Sequence, residues 1–395
     1  MLPIKDFNYP LPEERIAKYP ISPRDSSKLL IYKDNQISED IFHNIGKHLN
    51  SSTLLIYNNT RVIQARLVFK KNTGARIEIF CLEPIAPKEY TLSLSATTQC
   101  EWECLVGNAK KWKNDSISLT IDTIGVTLTA TKVCSLEYAQ RILFSWNNPN
   151  ITFSEILEAI GELPIPPYLN RQTEESDKEN YQTIYSKIHG SVAAPTAGLH
   201  FTDKVIDQLR QQGLSFEEIT LHVGAGTFRP VKTEDANQHT MHTETIILRK
   251  ESIQHILDNL DNIIAIGTTT VRTLESLYYL GQQDWDDNTI PEVKQFDPYQ
   301  QEYSLSPQEA LQRLIQNMEK HQIDTLYAQT QIMIKPGYQF RIIKGMITNF
   351  HQPQSTLLLL VSALIGENWR QVYQYALDHQ FRFLSYGDSS LLFPQ

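Results

Sequence analysis

The sequence predicts an α/β protein in which a three-layer α/β domain carries an inserted all-β domain, a small barrel. Two patterns support this prediction. Between residues 66 and 150, short segments alternate polar and apolar side chains, as half-buried strands do. On both sides of that region strands alternate with helices, as in α/β folds. The predicted domains are therefore 1–65 together with 151–395, and the insertion 66–150.

The inserted region contains segments with the two-residue period of strands, separated by polar turns: RIEIFCLE, YTLSLSA, EWECLVG, SISLTI, GVTLTAT and RILFSW. Short strands at this spacing indicate a barrel or a sandwich. All four cysteines, Cys81, Cys100, Cys104 and Cys134, fall here. Alternation places Cys100 and Cys104 on one face of a strand, so we predict small buried side chains rather than a four-thiolate zinc site.

The predicted elements of the α/β domain begin with the strand TLLIYNNT, before the insertion. After it follow helices at about 152–161 and 203–212, the strand FEEITLHV, a helix at about 251–260, the strand NIIAIGTTT and a helix at about 271–280. The segment QQDWDDNTIPEVKQFDPYQQEY contains six acidic residues and one lysine. We predict an acidic surface insertion over 282–325 that leads into the helical pattern PQEALQRLIQNMEKH.

Composition narrows the class of protein. No stretch approaches the roughly 20 apolar residues of a membrane span, and the first residues lack a signal-peptide pattern, so we expect a cytoplasmic protein without membrane association. The net charge of −9 argues against a general nucleic-acid coat protein but allows a local basic face. Residues 61–76 carry five basic side chains and no acidic one, and Lys110, Lys111 and Lys113 surround a tryptophan. Such side chains either protect an edge strand or contact phosphates.

Two glycine-containing turns carry histidines. GSVAAPTAGLHFT (190–202) has small side chains past which a ligand can come close, and it places His200 just before a helix that Thr202 is predicted to cap. HVGAGTFRPV (222–231) places His222 at a strand end, followed by Thr227 and Arg229. Backbone N–H groups in such turns bind phosphate, carboxylate or hydroxyl groups, although this turn lacks the full dinucleotide-binding fingerprint.

Two further polar turns precede helices. In AIGTTTVRTLES a strand ends at Gly267, and Thr268, Thr269 and Thr270 are predicted to cap a helix that carries Arg272. In TNFHQPQSTLLLLVSALIG, the predicted site residues before and at the start of an apolar helix are Asn349, His351, Ser355 and Thr356. A carboxylate or a polyol held between such helix N-termini is the ligand that these turns suggest.

Two other motifs are less specific. HTMHTE places His239, His242 and Glu244 close together, either as strand residues that contact a substrate or as metal ligands. YGDSSL resembles the serine motif of some esterases, but no histidine follows it, which argues against a hydrolase. Neither a G-x-S-x-G motif nor a Walker loop is present.

Taken together, these motifs resemble one family. The sequence is similar to the S-adenosylmethionine:tRNA ribosyltransferase-isomerases of queuosine biosynthesis from about residue 6 to residue 393. The segments that carry the resemblance, in order, are FNYPLPEERIAKYP, PRDSSKLL, NNTRVIQARL, YQTIYSK, GSVAAPTAGLHFT, LHVGAGTFRPV, HTMHTE, GTTTVRTLES, PGYQF, TNFHQPQSTLLLLVSA and SYGDSSLLF. The acidic segment near 282–325 is longer than we expect for the family.

The resemblance implies a transferase and isomerase that uses S-adenosylmethionine as a ribosyl donor. It implies transfer of the ribosyl group to the 7-aminomethyl-7-deazaguanine base at the wobble position of tRNA, which yields epoxyqueuosine and releases adenine and methionine. The sulfonium group acidifies the ribose C5′–H, so a positioned base can start the reaction without a metal or redox cofactor. The resemblance also implies a monomer, with S-adenosylmethionine and tRNA as its partners.

Residue roles follow as hypotheses from this chemistry. His200 and His222 would share the proton transfers, with Asp388 or Glu244 as an alternative base. The methionine carboxylate or ribose hydroxyls would be held at helix N-termini by Thr268, Thr270, Arg272, Ser355 and Thr356, with Arg229 also near the carboxylate. Asn59, Arg61 and Arg66 would meet tRNA phosphates together with the lysines of the inserted domain. The remaining predicted substrate contacts are Thr196, Thr227, His242, Asn349, His351 and Tyr386.

Two other functions are compatible with parts of the pattern. An S-adenosylmethionine-dependent RNA methyltransferase would use the same donor, but the chain lacks an early glycine-rich loop after a first strand. A non-catalytic RNA-binding module would not need four polar turns that precede helices. The products distinguish these alternatives, since a methyltransferase releases S-adenosylhomocysteine and a binding module releases nothing.

Overall fold

The structure is a computed structural model that describes residues 1–71, 74–112, 116–136, 138–224, 231, 233–286, 290–300 and 302–395. Lys113, Thr227 and Arg229, which the sequence analysis singled out, lie outside the described residues. Among those described, no helix is both long and apolar enough to cross a membrane.

The strands of the structure, numbered in chain order, are β1 (Lys28–Lys33), β2 (Gln36–Ile41), β3 (Leu54–Asn58), β4 (Thr60–Val62), β5 (Arg66–Lys70), β6 (Arg76–Ala86), β7 (Gln99–Gly107), β8 (Ser116–Ile121), β9 (Val126–Ser135), β10 (Gln140–Trp146), β11 (Ile188–Ser191), β12 (Ser215–His222), β13 (Glu244–Arg249), β14 (Ile263–Ile266), β15 (Glu292–Val293), β16 (Thr325–Thr330), β17 (Gly345–Asn349) and β18 (Ser389–Leu392).

The helices are α1 (Tyr90–Leu94), α2 (Phe153–Ile160), α3 (Asp177–Asn180), α4 (Asp203–Gln211), α5 (Lys250–Asp258), α6 (Thr268–Gln282), α7 (Asp297–Gln300), α8 (Pro307–Lys320), α9 (Thr356–Ile365) and α10 (Trp369–Asp378). The predicted cap of α4 is confirmed, because the Thr202 hydroxyl accepts a hydrogen bond from the Val205 N–H at 3.3 Å.

A mixed sheet organises the α/β part of the described chain. Its order is β15-β16-β13-β12-β3-β14-β17-β18-β1-β2. The central strands β12, β3, β14 and β17 run parallel to one another. Their carboxyl ends therefore meet at one edge of the sheet, where ligands of open α/β sheets bind.

Both faces of this sheet are covered, which gives three layers. Leu54 and Ile56 of β3 pack into one apolar cluster, which includes residues of α5, α6, α8, α9 and α10. Leu55, which points to the opposite face, packs with Val205 and Leu209 of α4. Burial on both faces explains why β3 reads as a nearly continuous apolar run.

The inserted region forms a second, antiparallel sheet of order β5-β6-β7-β10-β9-β8. The edge strands β5 and β8 come into contact, which curls the sheet into a nearly closed barrel. Its interior forms a separate apolar cluster that includes Trp102 and Phe144. The predicted fold class, an α/β domain with a small inserted barrel, is confirmed. Cys81, Cys100 and Cys104 are buried there as predicted, whereas Cys134 is exposed.

One predicted strand of the barrel is wrong. The segment YTLSLSA alternates in polarity, but it forms helix α1, and Arg66–Lys70 supplies a strand of the barrel instead. Tyr90, Ser93 and Leu94 are buried while Thr91 and Leu92 are exposed. This spacing of three and four residues is that of one helical face, so tertiary packing decided between the two periods.

The acidic segment 282–325 contributes more to the core than a surface insertion would. Val293 of β15 is fully buried, and β15 pairs with β16 at the edge of the sheet. Helix α8 begins with a capping box formed by Ser306 and Glu309, and it buries Leu311 and Leu314. The acidic segment therefore includes a helix, α8, that packs against α6.

Close packing between α6 and α8 predicts the effect of one substitution. A Cβ added to Gly281 would lie 2.0 Å from the carbonyl oxygen of Ala310. Because a helix backbone cannot yield as a flexible side chain does, Gly281→Ala should lower the free energy of unfolding by about 1–3 kcal/mol. Urea unfolding measures this change. Gln316→Ala on the exposed face of α8 is the control, with an expected change within about 0.5 kcal/mol; equal stability of the two variants would contradict the prediction.

Candidate active site

A cleft opens at the carboxyl edge of the parallel strands, and several of the motif turns converge on it. Its volume is ≈ 840 Å³ with the solvent at its mouth included. The residues that line it are Tyr168, Tyr181, Ala193, Ala194, Pro195, Thr196, Ala197, Val223, Gly267, Thr268, Thr269, Thr348, Asn349, Phe350, His351, Gln352, Ser355, Thr356, Leu357, Leu384 and Ser385.

Two helices begin at this cleft. Gly267 ends the loop before α6 with φ of +90°, and Ser355 caps α9 by accepting a hydrogen bond from the Leu358 N–H at 3.2 Å. The unpaired N–H groups and the positive dipole ends of α6 and α9 thus face one space. An anionic or strongly polar ligand group is stabilised there.

The threonines of α6 do not cap the helix, contrary to the sequence-based prediction. Gly267 occupies the cap position, and the Thr270 hydroxyl donates to the Ile266 carbonyl at 2.7 Å. Thr270 is fully buried, whereas Thr268 and Thr269 line the cleft. The conformation of Gly267 starts the helix one residue earlier than a threonine cap would. Thr269, rather than Thr270, therefore faces the cleft beside Thr268.

His200 lies behind the cleft rather than in it. Its Nδ1 lies 2.8 Å from the Ser27 hydroxyl, and its Nε2 lies 3.2 Å from the amide nitrogen of Asn349. Asn349 lines the cleft, and its Oδ1 accepts a hydrogen bond from the Thr196 hydroxyl at 2.9 Å. Since an amide nitrogen only donates, Nε2 of His200 accepts, and the imidazole is neutral with its proton on Nδ1. Burial lowers the pKa of His200 to about 3, assisted by Arg382 and Arg24.

His222 ends β12 at the contact with the barrel region. Its ring stacks on Tyr90 of α1, with centroids 4.2 Å apart and planes inclined by 14°. Its Nδ1 is buried and has no hydrogen-bond partner among the described residues. Burial lowers the pKa of this histidine to about 4. Gly190 makes the stacking possible, because a Cβ there would lie 2.6 Å from Nδ1 of His222.

His351 lines the cleft and is held on two sides. Its Nε2 lies 2.9 Å from the Thr348 hydroxyl, and its backbone N–H donates to the Tyr373 hydroxyl at 3.1 Å. Burial lowers its pKa to about 3. His351 is thus a neutral imidazole at the carboxyl end of β17.

A second cavity, of ≈ 490 Å³ with the solvent at its mouth included, shares Thr356 and Leu357 with the cleft. Inside it, Arg272 of α6 forms an ion pair with Glu244 of β13. Burial raises the pKa of Glu244, and Arg272 opposes that shift. The structure thus joins residues of the HTMHTE and GTTTVRTLES motifs. The full lining is His239, Met241, His242, Glu244, Arg272, Ile332, Met333, Ile334, Thr356, Leu357 and Leu360.

Asp388 and Tyr386 lie outside both cavities and have structural partners. The carboxylate of Asp388 accepts hydrogen bonds from the backbone N–H groups of Lys28 at 3.0 Å and Arg382 at 2.7 Å. It thereby ties the C-terminal turn to the start of β1. The Tyr386 hydroxyl donates to Asp177 at 2.9 Å. Ser385, just before Tyr386, lines the cleft instead.

The residues predicted to meet tRNA lie apart from the cleft. Asn59 is buried and accepts a hydrogen bond from Thr220 at 2.8 Å. Arg61 is exposed, and Arg66 forms a salt bridge with Glu78 at 3.3 Å. Lys110 and Lys111 lie in a short turn at Ala109–Lys111. Arg61 and these lysines therefore remain accessible to a partner, whereas Asn59 connects β3 to β12.

Two residues of the barrel region near this site were not anticipated. Glu83 of β6 lies opposite Glu103 of β7, and a Cβ on Gly224 would lie 3.3 Å from its Oε1. Burial raises the pKa of Glu83 to about 7, and the negative charges of Glu103 and Glu244 add to this. Tyr90 stacks on His222. No local motif marks either residue, because both reach the site through the packing of two separate sheets.

Comparison with known proteins places these observations in context. Residues 4–392 match the model of the queuosine biosynthesis protein family. Proteins named S-adenosylmethionine:tRNA ribosyltransferase-isomerase are similar over nearly the whole chain. The one from Sulfurihydrogenibium sp. is 35% identical (98% of this chain, 99% of the relative), and the one from Thermoanaerobacter sp. is 37% identical (98% of each). A crystal structure of S-adenosylmethionine tRNA ribosyltransferase from Thermotoga maritima is 26% identical with a TM-score of 0.47, covering 98% of this chain and 99% of that one.

The buried histidines predict an acid-sensitive fold. Folded-state pKa values of about 3 for His200 and His351 and about 4 for His222 lie below the ordinary 6.5. Between about pH 6.5 and 4 the unfolded chain therefore binds protons that the folded chain cannot, and stability is lost as the pH falls. Each histidine contributes up to about 1.4 kcal/mol per pH unit.

Urea unfolding at several pH values tests this prediction. His222→Gln should make the pH dependence of the unfolding free energy shallower between about pH 6.5 and 4, because one proton-binding group of the unfolded chain is removed. His43→Gln, at an exposed position, is the matched control and should keep the wild-type slope. A wild-type unfolding free energy that does not change over this range would contradict the assignment.

Proposed function

Because this chain belongs to the queuosine biosynthesis family, which includes S-adenosylmethionine:tRNA ribosyltransferase-isomerases, we propose that it transfers and isomerises the ribosyl group of S-adenosylmethionine. The acceptor is the 7-aminomethyl-7-deazaguanine wobble base of tRNA. The products are epoxyqueuosine-containing tRNA, adenine and methionine. The protein acts as a cytoplasmic monomer in this proposal.

The observation that carries the proposal is the convergence of two helix N-termini and one oriented amide on a single cleft. The starts of α6 and α9 suit ribose hydroxyls and other electron-rich groups. Asn349 is fixed through its Oδ1 by Thr196 and through one N–H by His200, and within the described part of the chain its second N–H remains for a ligand. A polar, preorganised cleft of this kind holds a nucleoside donor.

The donor itself supplies the chemical driving force. Its sulfonium group acidifies the ribose C5′–H, and loss of adenine and methionine accompanies formation of the new ring. S-adenosylmethionine is therefore consumed as a substrate, and we expect no additional cofactor. What the protein must supply is orientation, a proton acceptor and exclusion of water.

The two glycine-containing turns that carry histidines receive different roles in this proposal. His200 acts through Asn349, because both of its ring nitrogens already have partners. Nδ1 of His222 has no partner among the described residues, and burial keeps the ring neutral at neutral pH, so we assign this nitrogen the role of proton acceptor. The contact of His222 with Tyr90 lies where the barrel region meets the sheet. The exposed side chains of Arg61, Lys110 and Lys111 would contact the tRNA backbone.

Incubation of the purified protein with S-adenosylmethionine and tRNA that carries the 7-aminomethyl-7-deazaguanine base tests the function. We expect free adenine to appear in step with a heavier wobble nucleoside, measured by chromatography and mass spectrometry. tRNA with unmodified guanine at this position is the control and should yield neither product. Release of S-adenosylhomocysteine would instead identify a methyltransferase, and absence of any product would support a binding function.

Substitutions separate the two histidines. His222→Ala should lower turnover by a factor on the order of 100 while donor affinity stays near the wild-type value, because a proton acceptor is lost. His200→Ala and Asn349→Ala should each weaken donor binding, and the double variant should be no worse than the more affected single variant, since the two side chains act as a unit. Additive losses in the double variant, or normal turnover of His222→Ala, would contradict these roles.

A further inference from the structure

The second cavity contains a buried ion pair with two unused hydrogen-bonding atoms. Glu244 uses Oε2 for Arg272, and its Oε1 is buried without a partner among the described residues. Arg272 uses Nη1 for Glu244 and Nε for the Ile332 carbonyl at 3.2 Å, while its Nη2 is likewise without a partner. Both residues are more than nine-tenths buried. A buried pair is stable only when its remaining polar atoms are also satisfied.

The two unused atoms have opposite requirements. Oε1 of Glu244 needs a donor, preferably a cationic one, and Nη2 of Arg272 needs an acceptor, preferably an anionic one. A ligand with a single charge would satisfy one atom and leave the other buried without a partner. An α-amino acid zwitterion carries an ammonium and a carboxylate on one carbon, so it satisfies both.

Most of the remaining wall of the cavity is apolar, and its other polar members are His239, His242 and Thr356. Met241, Met333 and Leu360 are among its walls, together with Ile332 and Ile334. An unbranched thioether or sulfonium chain fits such a surface, because methionine side chains adapt to irregular apolar gaps and make polarizable contacts. The cavity thus combines a buried pair of opposite charges with a largely apolar wall.

The position of the cavity links it to the cleft. Thr356 and Leu357, at the start of α9, line both spaces. A donor that spans this boundary would place its nucleoside in the cleft and its amino-acid part beside Glu244 and Arg272. On this basis, and resting on the proposed function, we propose that the second cavity is the methionyl subsite, in which Glu244 binds the ammonium and Arg272 the carboxylate of S-adenosylmethionine.

This assignment changes the role of Glu244. As a ligand for the ammonium group it is a specificity-determining residue and not the general base. Each half of the pair selects a different group of the donor, so the two substitutions should have distinguishable effects. Glu244→Gln removes the charge that the ammonium needs, and Arg272→Lys removes the fork that can contact Glu244 and the carboxylate together.

Calorimetric titration without tRNA tests the subsite independently of turnover. The probes are S-adenosylmethionine, its decarboxylated and deaminated analogues, and 5′-methylthioadenosine, which lacks the amino-acid part. For the wild-type protein, loss of either charged group should weaken binding about 10- to 100-fold relative to S-adenosylmethionine. This comparison needs no variant, so a folding defect cannot obscure it.

The variants then assign each contact. Glu244→Gln should weaken the binding of S-adenosylmethionine about tenfold or more and should hardly change the binding of the deaminated analogue. Arg272→Lys should leave the binding of the decarboxylated analogue nearly unchanged. Both should bind 5′-methylthioadenosine like the wild type. Glu275→Gln is the control: Glu275 is also buried on α6, but its carboxylate accepts hydrogen bonds from Tyr338 and from backbone N–H groups. We expect it to lower the melting temperature without changing the ratio of affinities.

The outcomes separate the subsite from the proposed function. Equal affinity of the wild type for S-adenosylmethionine and its analogues would overturn the subsite and leave the transfer reaction standing. The subsite would also be overturned if Glu244→Gln and Arg272→Lys each weakened the binding of S-adenosylmethionine and of 5′-methylthioadenosine equally, because the ion pair would then affect the cleft as a whole. Absence of binding of any of these probes to the wild type would overturn the subsite and the proposed function together.

Discussion

Desolvation at the carboxyl edge of the large sheet is the constraint on which this structure depends. Polar side chains at and just beyond the ends of its parallel strands are almost completely removed from water, and burial of such groups is costly unless they find partners inside the protein. His200 meets Ser27 and Asn349, Asn349 meets Thr196, and His351 meets Thr348. The network joins elements that are far apart in the sequence, and it fixes the walls of the cleft before any ligand arrives.

The same constraint explains the connection between the sheet and the inserted barrel. Asn58 donates to the Leu221 carbonyl at 2.9 Å and accepts from the Leu221 N–H at 3.1 Å, so the end of β3 is locked to β12. Thr220 donates to the neighbouring Asn59. The chain leaves for the barrel directly after this clamp, and the barrel region returns Tyr90 to cover His222. The inserted region therefore contributes Tyr90 to this edge of the large sheet.

Buried polar atoms that lack a hydrogen-bond partner within the protein indicate where a ligand or a proton can bind. Glu244, Arg272 and His222 each have a buried polar atom without a partner among the described residues, as do the hydroxyls of Thr60 and Ser389. A free imidazole nitrogen suits proton transfer, and a half-satisfied ion pair suits a zwitterion. Thr356 and Leu357 line both the cleft and the second cavity, which is why we propose that one donor molecule spans the two spaces.

The sequence by itself determined the fold class, the order of most strands and helices, and the turns that form the cleft, because these follow from local periodicity, caps and glycine or proline positions. Thr196, Thr268, Asn349, His351, Ser355 and Thr356 were all found in this way and all line the cleft. The local pattern gave a wrong prediction for Tyr90–Leu94, which alternates in polarity like a strand but forms a helix. It also gave a wrong prediction for Thr270, because Gly267 and not a threonine occupies the cap position of α6.

Only the tertiary structure decided which polar groups meet. It placed His200 behind Asn349, paired Glu244 with Arg272, turned Asp388 into a structural acceptor and brought Glu83 beside Gly224. These outcomes depend on contacts across long sequence separations and on burial, which sets the pKa values of the histidines and carboxyl groups. A linear pattern contains neither the distances nor the loss of water that such interactions require.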